Sequence, residues 1–422
     1  MPRVTRTEVQ PETVAPPTVR LTSSLMVGWA VCRGRSAATA NPFRQWSKRL
    51  KMIEIQYLES TENLRKNIHN SQGWRPKAGQ TEEIAACLRQ GRLFYEAARR
   101  APLEIRPLEL YYGTVSYAKA LVLATSRNLR LSALPRSHGV SDRSPQNARL
   151  NDLTASIEER GTFQAFNDCV RNLNSFRALA LSRHERTFTF PCAESTDISG
   201  MTLSLKDIFG RLPGLESLYR ATFDEREKID FVQIADEGYR WTVCVSIPSW
   251  EIGFDNLVEM IRVVRNRMPF LEGWLFSEAS KTSLIFVNAR RTDDELLRRN
   301  MIHEFEWGFQ AVAPLAGTYF TEIETSLGHL MALPSHQVGA IFMQPIDGHF
   351  IAFQSLQFLA LHLLSSLVRY LPATWMHSLS RSANNARAAD DAMLALIEAF
   401  MEGVQTSIPK FVAEVIAPSF SI

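Results

Sequence analysis

The sequence predicts a predominantly helical α+β protein, with helical N- and C-terminal parts around a small antiparallel sheet. Apolar residues recur at helical spacing near both ends of the chain, whereas short segments rich in Val, Ile, Phe and Trp occupy its centre. No internal repeat of about 20 to 50 residues is evident, which argues against a solenoid. We expect a disordered basic extension, an N-terminal helical pair with a loop, a mixed α/β region and a C-terminal helical region, over residues 1–51, 52–150, 151–290 and 291–422.

The positive charge of the chain is concentrated in its first 51 residues. They hold nine Lys or Arg against Glu8 and Glu12, a net charge of +7, and they combine Pro, Thr, Ser and Ala with little periodicity. Such a composition predicts disorder. The remaining residues carry 38 basic against 42 acidic side chains, a net charge of −4, so nucleic acid stays open as a partner but is not favoured.

Cysteine usage and hydropathy indicate a soluble cytoplasmic protein. The five cysteines are odd in number and have no CxxC spacing, which fits neither a disulfide framework nor a zinc site and favours a reducing compartment. The most apolar stretch, residues 351–370, is interrupted by Gln354, Gln357, His362 and Arg369. We therefore expect a buried helix there rather than a membrane span.

Several enzyme classes are excluded by motifs that the sequence lacks. GxxxxGK[ST], GxGxxG and GxSxG do not occur, which removes P-loop ATPases, dinucleotide-binding enzymes and α/β-hydrolases. His329, His336 and His349 form no pair at i, i+4 spacing and no HExxH motif. We therefore expect no metal and no other cofactor.

A pair of antiparallel helices is predicted near the N-terminus. The first begins near Thr81, carries an apolar face at alternating spacings of four and three, and ends at Pro102. The second begins near Pro107, where a first-turn proline is favourable, and ends near Asn128.

Each predicted helix of this pair contains an internal glycine. Gly91 and Gly113 each cost about 0.5 to 1 kcal/mol relative to alanine unless close packing compensates. We therefore expect them to mark the place where the two helices cross, and we expect this pair to form the platform for any ligand.

The centre of the chain alternates loops, helices and strands. Residues 135–150 are rich in Pro, Ser, Asp, Asn and Arg and predict a surface loop. We expect a hairpin over residues 153–166, an amphipathic helix over residues 203–223, and strands over residues 229–234, 241–247 and 283–287. Helical patterns return over residues 255–266, 292–310, 351–370 and 389–407.

One set of short motifs resembles the YaaC-like proteins, a bacterial family. The motifs are Gln90-Gly91-Arg92, Pro107, Tyr111-Tyr112-Gly113, Ala118-Lys119-Ala120 and His138-Gly139, followed by Arg369-Tyr370-Leu371-Pro372 and Trp375. The likeness extends over most of residues 52–422. It implies the fold of that family but carries over no catalytic residue.

Lys119 and His138 each have two readings. Lys119 borders the apolar face of the second helix, so its stem could cover the core while its amine reaches solvent, or the amine could be placed for an anionic ligand. His138 precedes Gly139 in a loop and is either a turn residue or a functional one. An enzyme acting on a nucleotide-like anion would bring the two side chains into one pocket.

A polar seam follows the predicted helix over residues 351–370. Ser355, His362, Ser366 and Arg369 are spaced by seven, four and three positions and so share one face. Such a seam ordinarily faces solvent, but it could instead line an internal cleft where His362 and Arg369 hold an anion. The burial of His362 distinguishes these two alternatives.

Arg298 and His303 form an Arg-x4-His pattern on a predicted helix, which resembles ribonucleases of the HEPN fold. In such a site the resemblance implies that histidine acts as acid or base while arginine stabilises the phosphate charge. HEPN proteins usually pair two such motifs across a dimer of helical bundles, and the strands predicted nearby do not match that context.

The favoured function is binding without classical catalytic machinery, to a protein partner or to a small anionic ligand. The alternatives are a metal-independent ribonuclease in bacterial defence or toxicity, using Arg298 and His303, and an enzyme acting on a nucleotide-like anion. The residues predicted to bind a ligand are Arg92, Tyr112, Lys119, His138, His362 and Arg369.

Overall fold

The computed structural model describes ten stretches of the chain. They are residues 53–145, 148–180, 185–189, 197–236, 240–246, 257–279, 283–289, 327–332, 339–379 and 388–418. All of them belong to one compact unit, residues 47–422. The predicted extension over residues 1–51 and the predicted helix over residues 292–310 lie outside the described residues.

The N-terminal part is helical, as predicted. After a short helical stretch at residues 53–58 come α1 (Thr61–Gln72), α2 (Ala78–Arg100) and α3 (Arg106–Thr125). The side chain of Ser60 caps the start of α1, and Gly73, with φ of 72°, ends it. The break between α2 and α3 falls at Pro102, and Pro107 lies in the first turn of α3.

The predicted crossing of α2 and α3 at their glycines is confirmed. A Cβ added at Gly91 would lie 2.7 Å from the ring of Tyr117, and one added at Gly113 would lie 2.4 Å from the ring of Tyr95. The two helices therefore approach each other at positions where only a hydrogen atom fits against an aromatic ring.

A small antiparallel sheet follows the helical pair. Its strands are β1 (Val140–Asp142), β2 (Thr154–Ile157) and β5 (Thr202–Ser204), in the order β1-β2-β5. The hairpin predicted over residues 153–166 is wrong, because β2 leads into α4 (Thr162–Asn172). Phe163, Phe166 and Val170 recur at helical spacing and bury one face of α4, which outweighs the turn signal of Arg160-Gly161.

The helix predicted over residues 203–223 is interrupted. It forms β5, then α5 (Leu205–Phe209) and α6 (Glu216–Phe223). Pro213 follows α5 closely, and Gly214 has a φ of 91°, which a helix cannot contain.

The larger sheet has eight strands among the described residues. They are β3 (Ser175–Ala180), β4 (Glu185–Thr189), β6 (Ile229–Asp236), β7 (Arg240–Ser246), β8 (Leu275–Ala279), β9 (Ser283–Ala289), β10 (Leu330–Ala332) and β11 (Ala340–Met343). The main path runs β10-β11-β6-β7-β9-β8, and β3 joins β4 to β6. The strands predicted at the centre of the chain correspond to β6, β7 and β9. Pairing is antiparallel except for a short parallel contact between β3 and β6.

Helices return after the larger sheet begins and dominate the C-terminal part. They are α7 (Leu257–Arg267), α8 (Phe353–Tyr370), α9 (Pro372–Leu379) and α10 (Ala388–Ile416). Every residue of α8 from Phe353 to Leu367 is buried, as predicted for an apolar helix inside the protein. Among the described helices, none is both long enough and apolar enough to cross a membrane.

Two hydrophobic cores hold these elements together. The larger core joins α1 to α6, the small sheet and α8 to α10, and it includes Ile229, Ile341 and Met343 of the larger sheet. The second core lies between the larger sheet and α7. α8 packs in the larger core against α3, α4 and the small sheet, so its polar side chains are enclosed by other elements.

Candidate functional site

The candidate site lies where α3, α8 and the loop before β1 meet. Its centre is Tyr111, whose ring lies 5.3 Å from the ring of His138, 5.7 Å from that of Phe358 and 5.4 Å from that of His362. The two histidine rings are 6.4 Å apart. Three parts of the sequence thus bring aromatic and imidazole groups into one cluster.

A hydrogen bond joins α3 to α8 at this point. The hydroxyl oxygen of Tyr111 lies 3.2 Å from Nδ1 of His362. Burial raises the pKa of Tyr111 above its usual value, so the hydroxyl keeps its proton. When the hydroxyl donates, Nδ1 accepts and the proton of the neutral imidazole resides on Nε2.

His362 is buried and uncharged at neutral pH. Its exposed fraction is 5%, so the reading of the polar seam as a solvent-facing stripe is wrong. Burial lowers the pKa of His362 to about 4, with further lowering by Arg369 and His138 and an opposing effect of Asp142. Ser355 and Ser366 of the same seam are also buried, because α8 is surrounded on all sides.

His138 is half-buried on a tightly fixed loop. Gly139 has a φ of 79°, and a Cβ added at Gly161 would lie 2.2 Å from the Cα atom of Gly139. Two backbone N–H groups at the start of α4, those of Thr162 and Phe163, donate to the carbonyl groups of Ser137 and His138. These contacts fix the backbone of the loop that carries His138.

The electrostatic surroundings of His138 are positive. Burial lowers the pKa of its imidazole, and the charges of Arg369 and Lys119 lower it further. Lys119 also acts on Cys87 of α2, where burial raises the pKa of the thiol to about 11 and the lysine opposes the shift. The charge of Lys119 thus acts on both His138 and Cys87.

Arg369, in the last turn of α8, supplies a fixed cation at the edge of the cluster. Its Nε atom donates to the carbonyl oxygen of Ser365 over 3.2 Å, and its Nη2 atom donates to the Ser365 hydroxyl over 3.3 Å. Its Cζ atom lies 5.7 Å from the centre of the Tyr111 ring and 4.9 Å from that of Tyr370. The contacts of Arg369 within the described part of the chain include no carboxylate, and they use two of its five N–H groups.

The remaining predicted ligand-binding residues lie in different places. Tyr112 stacks on Phe94 with ring centres 5.9 Å apart and touches Tyr111, so it adjoins the cluster. Arg92 does not, because it is paired with Glu59 and, over 2.8 Å, with Glu96. Glu59 lies in the turn before α1 and Glu96 lies on α2, so the contacts of Arg92 are structural and lie outside the cluster.

Arg298 and His303, the predicted nuclease pair, lie outside the described residues. In the described part of the chain, no group of three or more His, Cys, Asp or Glu could hold a metal ion.

Tyr111 is the central residue that the sequence did not single out as a ligand-binding candidate. It occurs in the motif Tyr111-Tyr112-Gly113, but the pattern on α3 favoured its neighbour Tyr112. A buried tyrosine on an apolar helix face ordinarily reads as core. The hydrogen-bonding partner of its hydroxyl is His362, which lies 251 residues away in the sequence, so the fold had to be known to find it.

We call Tyr111, Lys119, His138, His362 and Arg369 the anion cluster. Arg369 and Lys119 carry positive charge, the two imidazoles are neutral at pH 7, and Asp142 is the carboxylate that acts on His362. Neutral imidazoles and a hydroxyl offer hydrogen bonds, and the guanidinium offers a planar fork that matches carboxylate and phosphate oxygens.

The comparisons with known proteins give a family and nothing finer. A protein-family model described as YaaC-like Protein matches residues 48–416, nearly the whole chain. No curated protein and no solved structure matches the sequence.

Proposed function

Since this chain belongs to the YaaC-like family, we propose a function from its own side chains: it binds a small anionic ligand at the anion cluster. The observation that carries the proposal is the juxtaposition of Arg369 with His138 and His362 around the ring of Tyr111. We place this activity in the cytoplasm of a bacterium, on the basis of the cysteine pattern and the family resemblance.

The charges and donors of the cluster support an anion as the ligand. The guanidinium of Arg369 has N–H groups that its bonds to Ser365 leave over, and burial in the interior strengthens a hydrogen bond to a charged group. Lys119 adds a second cation, whose charge also acts on His138. A bound carboxylate or phosphate would therefore meet two positive charges and neutral hydrogen-bonding rings.

The position of the cluster supports a small ligand rather than a protein partner. Tyr111 and His362 are buried and His138 is half-buried, so a flat protein surface could not reach them. Clefts lined by apolar and aromatic residues with a few placed polar groups are the usual sites of small molecules.

A second candidate, an enzyme acting on a nucleotide-like anion, is supported by the imidazole of His138. Burial and the charges of Arg369 and Lys119 lower the pKa of this ring and keep it neutral, as a general base at neutral pH requires. The ribonuclease alternative depends on Arg298 and His303, and no contact of the described residues favours it.

The experiment is a thermal unfolding titration of the full chain with inorganic phosphate, citrate, AMP, ATP and a short RNA. A ligand that binds only the folded form stabilises it by about 2.7 kcal/mol at one hundred times its Kd, so we expect at least one anion to raise the Tm by several degrees. Arg369→Gln should abolish the shift, whereas Arg160→Gln should retain it. The Arg160→Gln control removes one positive charge, as Arg369→Gln does, but from a side chain that is 86% exposed.

The proposal fails if no anion shifts the Tm of the wild-type protein, or if Arg369→Gln shifts as much as the control. Arg369→Lys keeps the charge and separates loss of binding from loss of folding. The same samples report turnover. Phosphate release from AMP or ATP by the wild type, absent in His138→Gln, would favour the enzyme over the binding protein.

A further inference from the structure

Tyr370 is the most exposed large hydrophobic side chain among the described residues. Its exposed fraction is 69%, and it closes α8 immediately after Arg369. Single exposed hydrophobic residues are common and carry no meaning by themselves. Tyr370, however, is in contact with Arg369 of the anion cluster.

The guanidinium of Arg369 connects Tyr370 to the interior of the site. Its Cζ atom lies 4.9 Å from the centre of the exposed Tyr370 ring and 5.7 Å from that of the buried Tyr111 ring. Tyr111 in turn contacts both histidines. A continuous path therefore runs from a solvent-exposed aromatic face, across a cation, to a group of buried hydrogen-bonding rings.

This path suits a ligand with one flat apolar part and one anionic part. An exposed tyrosine face stacks on a nucleobase, because every base has a π-face, and an adjacent guanidinium adds cation–π attraction. Arginine and neutral imidazoles bind phosphate oxygens. Tyr112, stacked on Phe94 and in contact with Tyr111, adds half-buried aromatic surface next to the cluster.

We infer that the ligand of the anion cluster is a phosphorylated nucleoside, whose phosphate lies against Arg369 and the histidines and whose base stacks on Tyr370. This inference rests on the proposed anion binding. It adds a requirement that anion binding alone does not make, namely that the base contributes to affinity.

The test compares the affinity of the full chain for AMP, for ribose 5-phosphate and for inorganic phosphate by calorimetry. Stacking on an aromatic side chain is worth about 1–3 kcal/mol per base, so AMP should bind at least about five-fold more tightly than ribose 5-phosphate. Tyr370→Leu should reduce this ratio to near one while affinity for inorganic phosphate stays unchanged. Tyr370→Trp should keep the ratio, because its ring also stacks.

Tyr57→Leu is the matched control, since Tyr57 is a 41% exposed tyrosine of the short helical stretch at residues 53–58. It should leave the ratio as in the wild type. A tetranucleotide with a 5′ phosphate distinguishes a free nucleotide from the end of an RNA. Tighter binding of AMP than of the tetranucleotide supports a free nucleotide as the ligand, whereas binding of the tetranucleotide without binding of AMP overturns the inference.

Two results would overturn the inference while leaving anion binding intact. One is equal affinity of the wild type for AMP and ribose 5-phosphate, and the other is an unchanged ratio in Tyr370→Leu. If none of the three compounds binds, the proposed function fails together with the inference.

Discussion

The two sides of α3 are packed in opposite ways. Towards α2, the glycines of the crossing receive tyrosine rings, so that Gly113 meets Tyr95 with no room for a methyl group. Towards α8, the contact is polar and joins the hydroxyl of Tyr111 to the imidazole of His362. One helix thus has a side determined by shape and a side determined by hydrogen bonding.

The two sides of α3 are expected to contribute differently, the α2 side to stability and the α8 side to pH dependence and binding. Close packing against glycine stabilises a fold through dispersion and the burial of apolar surface. A buried imidazole is a poor means of stabilisation, because it costs free energy unless its hydrogen bonds are made. We therefore expect substitutions on the α2 side to change mainly folding, and substitutions on the α8 side to change mainly pH dependence and binding.

The largest expected effect is on stability and comes from a substitution at the contact between α3 and α2. Gly113→Ala places a Cβ 2.4 Å from the ring of Tyr95, which cannot turn away freely because its hydroxyl bonds to Thr114 over 2.8 Å. We expect a loss of about 3 kcal/mol in the free energy of unfolding, measured by urea denaturation.

Gly403→Ala is the control for this substitution. Gly403 is an exposed glycine of α10 with open space at its Cβ position, so alanine there should stabilise by about 0.5–1 kcal/mol. If Gly113→Ala behaved like Gly403→Ala, the crossing would not be held by close contact.

A smaller effect is expected at the contact between α3 and α8, where His362 makes the free energy of unfolding depend on pH. Because the folded-state pKa of His362 is about 4 against an ordinary value of 6.5, the unfolded chain takes up a proton at higher pH than the folded one. The stabilising contribution of the neutral ring is present above pH 6.5 and is lost as the pH falls from about 6.5 to about 4. We expect this residue to account for a loss of about 2–3 kcal/mol over that window.

His362→Gln should remove this part of the pH dependence, as urea denaturation at a series of pH values would measure. His377→Gln is the control, since His377 is an exposed histidine of α9. An unchanged slope in His362→Gln would show that the ring is free to take up a proton in the folded state.

The smallest effect concerns the hydrogen bond itself. Tyr111→Phe removes the hydroxyl that faces Nδ1 of His362 and should cost about 1 kcal/mol in the free energy of unfolding. Tyr112→Phe is the neighbouring control and should cost nearly nothing, because the side-chain contacts of Tyr112 in the described part of the chain are made by its ring. Equal stabilities of the two variants would mean that the bond adds nothing to folding.

The contact between α2 and α3 could be predicted from the sequence because the patterns that indicate it are local. Apolar spacing, Pro102 and Pro107 predict both helices to within a few residues, and internal glycines indicate a crossing without knowledge of the partner residue. The same holds for β6, β7 and β9, whose runs of β-branched and aromatic residues are continuous.

For the contact between α3 and α8, the sequence predicted individual residues but not their meeting. His362 and Arg369 were predicted together from their spacing on α8, and His138 was predicted separately. The meeting of His138 and Tyr111 with this pair depends on the packing of α8 against α3, which no spacing encodes. Burial decides the meaning of the polar seam on α8, and that burial comes from elements distant in the sequence. Arg92 was misleading for the same reason, because Glu59, 33 residues earlier, engages its guanidinium.

The contact between Gly139 and Gly161 has a consequence for how a ligand would be received. Fixing the backbone of one residue costs about 1–2 kcal/mol of conformational entropy, and loops commonly incur this cost when they close on a guest. Here the three residues from Ser137 to Gly139 are immobilised during folding by α4. The main chain at His138 is thus ordered before any ligand binds, so binding there would require no rearrangement of the main chain.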